Sequence, residues 1–186
     1  MRVLLTSAGL ETEEIKEYFI KMTGKDMSLV KALFIPTAAM DAGAIEVLPK
    51  CMNDLIKCGI QDKNIKVYDL HIGMELEELL HYDVVYLCGG NTAYLLERVR
   101  GTGFHTTLKE YIKANGMVIG VSAGSLIFAN NLVGNLGLIN TRLDVHCQEG
   151  EKRGKITYPI KDNIKLTNTS ALAIREFPDG IEIIGE

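Results

Sequence analysis

Gly120-Val121-Ser122-Ala123-Gly124 spells G-x-S-x-G, a spacing that suits a nucleophilic serine. Glycines on both sides let a strand turn sharply into a helix, which forces the serine into a strained backbone and exposes its Oγ. The flanks agree with that arrangement. Residues 117–121 (MVIGV) form an apolar run fit for a buried strand, and 125–129 (SLIFA) continue as a helical pattern. The competing account is an ordinary strand-to-helix turn in which Ser122 merely caps the helix. A second glycine turn, Cys88-Gly89-Gly90-Asn91-Thr92, closes the apolar run 84–87. In an open parallel sheet both turns belong to the carboxyl edge, where ligands bind. The backbone N–H groups of Gly90 and Ala123 are then placed to converge as an oxyanion hole. Read without chemistry, the same turn is a helix start capped by Asn91 or Thr92.

A serine nucleophile needs a base, and the chain has four histidines. His71 falls in a loop, His105 at a helix start and His81 at the end of a short helix. His146 follows the elbow in Thr141-Arg142-Leu143-Asp144-Val145-His146-Cys147, where an extended run can return it over the sheet edge. Chains with a G-x-S-x-G elbow place their histidine downstream of the nucleophile, which selects His146. Nucleotide chemistry is disfavoured, since neither G-x-G-x-x-G nor a P-loop lysine occurs. No H-x-x-x-H or Cys/His cluster suggests a metal, so no metal and no cofactor are expected.

The elements that must position these residues alternate along the chain. Apolar runs at 2–6, 30–36, 65–70, 84–87 and 117–121 read as strands. Amphipathic stretches at 12–22, 44–57, 75–80, 91–99, 106–114 and 123–129 read as helices. After Gly134 the pattern loosens into short strands at 164–166, 171–174 and 181–184, the last two joined as a hairpin across Pro178-Asp179-Gly180. The expected fold is α/β, a three-layer α/β/α doubly wound and mostly parallel sheet with a mixed tail.

Bulk composition narrows the partners. The 186 residues fit a single domain spanning 1–186, with 47% hydrophobic and 24% charged residues. A formal charge of −4 offers no basic stripe for nucleic acid. No stretch approaches the roughly 18 apolar residues of a membrane span, and no targeting segment is visible, so the expected location is the cytoplasm. Cys51, Cys58, Cys88 and Cys147 show no C-x-x-C pair or secreted disulfide spacing. Cys51 and Cys58, seven apart, share a helix face and read as core. The expected partner is a short peptide substrate. A homodimer stays open, and neither nucleic acid nor membrane is expected.

Taken together, these motifs resemble the peptidase E (aspartyl dipeptidase) family of serine peptidases, relatives of cyanophycinase with a class I glutamine-amidotransferase-like fold. The resemblance runs through Phe34-Ile35-Pro36-Thr37, both glycine turns, Asp144-Val145-His146 and the terminal Ile183-Ile184-Gly185. It implies Ser122 as nucleophile, His146 as base, and Gly90 and Ala123 as oxyanion donors. The family's triad ends in a carboxylate just before the late strands, whereas this chain reads Leu166-Thr167-Asn168-Thr169-Ser170. Asn168 stands at the acid's place, with Asp144 and Glu149 as reserves, and is expected to accept a hydrogen bond from the His146 ring. The implied substrate is a short peptide, above all a dipeptide with an amino-terminal aspartate. Its carboxylate calls for a fixed cation, for which Arg153 is the candidate, with Asn91 adding an amide contact. The alternative is an impaired relative that keeps the fold as a binding or regulatory domain. A glutamine amidotransferase would need cysteine where Ser122 stands.

Overall fold

In the computed structural model, which describes every residue except Phe177, the apolar runs become strands of an eight-stranded sheet. Its parallel part is built from β1 (Arg2–Thr6), β2 (Ala32–Ile35), β3 (Ile65–Val67), β4 (Val84–Leu87) and β5 (Met117–Val121). A separate parallel pair joins β6 (Leu143–Asp144) to β8 (Ile164–Lys165). The tail is antiparallel: β9 (Ser170–Ile174) adds to β1, β10 (Ile181–Gly185) to β9, and β7 (Gly154–Lys155) to β10. The order across the large sheet is β3-β2-β4-β5-β1-β9-β10-β7.

The parallel strands read as unbroken apolar runs because both of their faces are covered. Leu4, Phe34, Tyr86 and Ile119 pack toward α1 (Glu13–Thr23) and α2 (Ala42–Lys57). Their neighbours Leu5, Leu33, Val85 and Val118 point the other way. There they meet α3 (Leu76–Leu79), α4 (Thr92–Gly101), α5 (Phe104–Lys113) and α6 (Ala123–Leu126). The result is the expected α/β layering with a mostly parallel sheet and a late hairpin. α1 is capped at both ends: the Thr12 side chain accepts the Ile15 N–H, and Gly24 closes the helix in the left-handed conformation at φ 66°.

Two boundaries differ most from the sequence reading. The strand at 65–70 ends at Val67, because the Leu70 N–H is taken by Thr37 Oγ1 at 2.9 Å. The helix at 123–129 stops at Leu126. Beyond it, Phe128 N–H bonds only three residues back, to Ser125 O at 3.1 Å, and the chain doubles over so that Leu136 N–H reaches Ile127 O at 2.7 Å. Apolar spacing survives that change, which is why the pattern overran the helix. β6 and β7 are two residues each, too short for any periodicity to mark.

β1 and β5 are also joined by a side chain. Ser125 is buried, accepts the Thr6 N–H at 3.0 Å, and lies 2.8 Å from Thr6 O and 2.7 Å from Gly120 O. Ser125→Ala removes this side-chain tie, while the Thr6 amide keeps its place in the β1–β5 ladder. It should cost about 0.5–1.5 kcal/mol, read as a fall in Tm of roughly 2–4 °C per kcal/mol for a chain of this size. An unchanged melting curve would remove the tie.

Asp54 of α2 is buried against the sheet, and its Oδ2 has no hydrogen-bond partner among the described residues. Burial pushes its carboxyl upward, with Lys50 opposing. A folded pKa above the unfolded one means the native state binds the proton more tightly. Asp54 therefore costs stability above its unfolded pKa of about 3.9, and the cost grows until the pH passes the raised folded value. Asp54→Asn should raise Tm at pH 7, with the gain fading as the pH falls toward about 4. A gain that persisted undiminished at low pH would assign it to another cause.

Candidate active site

The carboxyl ends of β4, β5 and β1 bring the two glycine turns and the histidine loop together. Ser122 follows β5 directly and adopts φ 48°, ψ −110°, outside the regions ordinary L residues occupy. Its amide bonds to Thr6 O at 2.9 Å, continuing the β1–β5 ladder one residue into the turn. Close packing explains the flanking glycines. A Cβ on Gly120 would lie 2.5 Å from Gly124 O, and one on Gly124 would lie 2.2 Å from Leu87 O. The Ser122 side chain makes no capping bond to α6; it faces the histidine instead.

His146 follows β6 in a left-handed backbone, φ 58°. Its Nε2 lies 3.0 Å from Ser122 Oγ, and its Nδ1 lies 2.7 Å from Asn168 Oδ1, in the loop between β8 and β9. An amide oxygen only accepts, so Nδ1 carries the hydrogen and the Nε2 lone pair is turned to the serine hydroxyl. His146 and Asn168 are both exposed. The remaining histidines are engaged elsewhere or half-buried: His71 with Asp69 at 2.8 Å, His81 with Glu78 O at 3.3 Å, and His105 with its Nδ1 enclosed. Neither reserve acid is bonded to the His146 ring. Asp144 reaches Arg142 at 3.8 Å, and Glu149 is exposed.

Gly90 takes φ 137°, and a Cβ there would fall 2.0 Å from Ala38 O, so no other residue fits without moving the backbone. Gly89 abuts Ser122, its Cβ position 3.2 Å from Ser122 Cβ. Among the described residues no acceptor takes the N–H of Gly90 or of Ala123, the latter being the first residue of α6 and therefore lacking an intrahelical partner. Asn91 is the N-cap of α4, accepting the Tyr94 N–H at 2.9 Å through its side-chain oxygen. The turn thus starts a helix and leaves a free donor beside Ser122 at once.

A cleft of about 340 Å³ opens over the elbow, walled by α2. Ser7, Lys50, Cys51, Cys88, Gly90 and His146 border it with Ser122. Lys50 is its cation. Partial burial works against the Lys50 charge, but the ion pair with Glu11 and the nearby Asp54 carboxylate together outweigh it and hold the ammonium above its usual range. Burial pushes the Cys51 and Cys88 thiols up, so both stay protonated near neutrality and neither rivals Ser122 as nucleophile. Arg153 does not border the cleft. It precedes β7, four strands from β5 and about 19 Å away at ordinary strand spacing, and its guanidinium pairs with Glu14 at 2.8 Å. The expected return of that loop over the elbow fails because the chain instead adds β7 to the far edge of the sheet. Lys50 lies on a long amphipathic helix, where an exposed lysine carries no signal in the sequence.

Comparison with known proteins follows the same lines. Over the whole chain, the fold is similar to a Listeria monocytogenes EGD-e protein provisionally named peptidase E, with TM-score 0.71 and 20% sequence identity, covering 100% of this chain and 97% of that one. It is also similar to a peptidase from an acI-B1 actinobacterium, with TM-score 0.67 and 16% identity, covering 100% and 87%. At these identities the likeness is one of fold. Among curated sequences, an uncharacterized peptidase of Pasteurella multocida (strain Pm70) is 28% identical over 99 residues, 53% of this chain and 48% of the relative. An uncharacterized peptidase of Listeria monocytogenes serovar 1/2a is 29% identical over 99 residues, with the same shares. The chain spans about half the length of the curated relatives it matches. No helix among the described residues is long and apolar enough to cross a membrane. The sequence profile of peptidase family S51 matches residues 3–141, a span that takes in both glycine turns, and the chain belongs to that family.

Proposed function

We propose that this protein is a serine-type peptidase that cleaves short peptides, above all dipeptides with an amino-terminal aspartate. Ser122 is the nucleophile, His146 the general base and Asn168 the group that orients it. The observation that carries this reading is the 3.0 Å approach of His146 Nε2 to Ser122 Oγ on a strained elbow. As Oγ attacks the scissile carbonyl, Nε2 takes the hydroxyl proton and later passes it to the leaving amine. The N–H groups of Gly90 and Ala123 receive the developing oxyanion. Water, deprotonated by the same imidazole, then releases the acyl group.

Asn168 sets how fast this runs. Its amide fixes the productive tautomer but cannot stabilise the imidazolium as a carboxylate does. The Asp-to-Asn change in a serine protease costs about four orders of magnitude, there with the wrong tautomer as well. Turnover here should be slow but real, and Asn168→Asp should raise kcat by roughly 10–100-fold. Ser122→Ala should abolish hydrolysis while the fold persists. An alanine variant as fast as the parent would remove the nucleophile assignment, and an aspartate variant no faster than the parent would remove Asn168. The amide at this position is also what favours the second reading, a binding domain of the same fold. That reading predicts a parent protein that neither cleaves peptides nor reacts with a fluorophosphonate.

Specificity falls to Lys50 in this reading. Its ammonium borders the cleft, and a substrate carboxylate can take the place of Glu11 as its partner. Asp-Leu should be cleaved ahead of Asn-Leu and Ala-Leu. Lys50→Met should raise KM for Asp-Leu by about tenfold or more, the worth of one charge-assisted hydrogen bond, and leave Ala-Leu unaffected. Equal cleavage of the three dipeptides by the parent would end the aspartyl preference while leaving the serine hydrolase standing.

A further inference from the structure

We propose that Ser7 is a positioning residue for the His146 base, an inference that rests on the serine-peptidase reading above. β1 ends one residue earlier, at Thr6, whose carbonyl accepts the Ser122 amide. Ser7 is 1% exposed. Its Oγ accepts the His146 backbone N–H at 3.1 Å and donates to Leu166 O at 3.1 Å. Leu166 lies two residues before Asn168, and the same carbonyl also accepts the Cys147 N–H at 3.0 Å. One hydroxyl therefore gathers the segment that carries the base and the segment that carries its orienting amide. It fixes both to the strand end that holds the nucleophile.

The need for such an anchor comes from the His146 backbone. A left-handed conformation is unfavourable for a non-glycine residue and persists only where the surroundings over-determine it. His146 is exposed two residues beyond the short strand β6, so little packing holds it in place. Its amide bond to Ser7 supplies the constraint that burial does not. The single Ser7 proton is committed to Leu166 O, which leaves the hydroxyl a clamp and not a second nucleophile.

The test compares Ser7→Ala and Ser7→Cys with the parent on three readouts. These are kcat and KM for Asp-Leu, the rate of fluorophosphonate labelling at Ser122 as a function of pH, and hydrogen exchange of the His146 amide. With the base adrift by about an ångström, Ser7→Ala should lose roughly 10–100-fold in kcat and in labelling rate, with KM within about twofold. Exchange at the His146 amide should speed up. Ser7→Cys, close in volume and a weaker hydrogen-bonding group, should fall between alanine and the parent, and it carries the comparison if alanine does not fold. Parental labelling in Ser7→Ala overturns the proposal. So does a loss of labelling with His146 exchange unchanged, since the effect would then arise elsewhere. Failure of the peptidase reading itself looks different: the parent would be unlabelled at Ser122 while His146 exchange still sped up in Ser7→Ala.

Discussion

The backbone of Ser122 cannot relax, and much of the central structure is arranged around that fact. At φ 48°, ψ −110° an L residue is held against its own sterics, so the energy must come from neighbours. Thr6 O grips its amide, and Ser125 N–H and Leu126 N–H both bond to its carbonyl, at 2.8 and 3.0 Å. β4 presses Leu87 O against Gly124 from the side. The contacts with Thr6 O and Leu87 O require β5 to lie parallel to, and in register with, its two neighbours β1 and β4. The central sheet and the elbow are in this sense one construction: a one-residue slip of β1 against β5 would take away the acceptor for the serine amide.

Around that fixed point the groups of the site differ in how they are held. Ser122 stands on buried strands, while the His146 imidazole and the Asn168 amide stand on exposed loops tied by hydrogen bonds. Exposure leaves both groups in contact with water. It also screens charge, which reduces what a carboxylate at position 168 would add compared with a buried triad. An amide that sets a tautomer acts through geometry, and geometry is not screened.

The parallel strands and the elbow were legible because their signals are local. Burial on both faces writes itself as an apolar run, and close backbone contact writes itself as glycine at 120 and 124. His146 and Asn168 could be placed only through chain order and family resemblance, since no periodicity surrounds them. Lys50 and Arg153 show where such reading ends. Both are exposed cations in polar surroundings, and their roles were decided by which way a helix or a two-residue strand carries them. Ser7 was silent for a related reason: a serine at a strand end resembles any turn residue until its two partners, at 146 and 166, are brought to it.

The two edges of the large sheet have a consequence for the protein in concentrated solution. An open sheet of eight strands offers, in principle, two templates for recruiting strands from other molecules. Here one edge is β3, three residues with Lys66 at its centre, and the other is β7, the exposed dipeptide Gly154-Lys155. A visiting strand would find few backbone groups to pair with and a buried-charge penalty for trying. Fibre growth by edge-to-edge addition is blocked at both ends by brevity and a lysine.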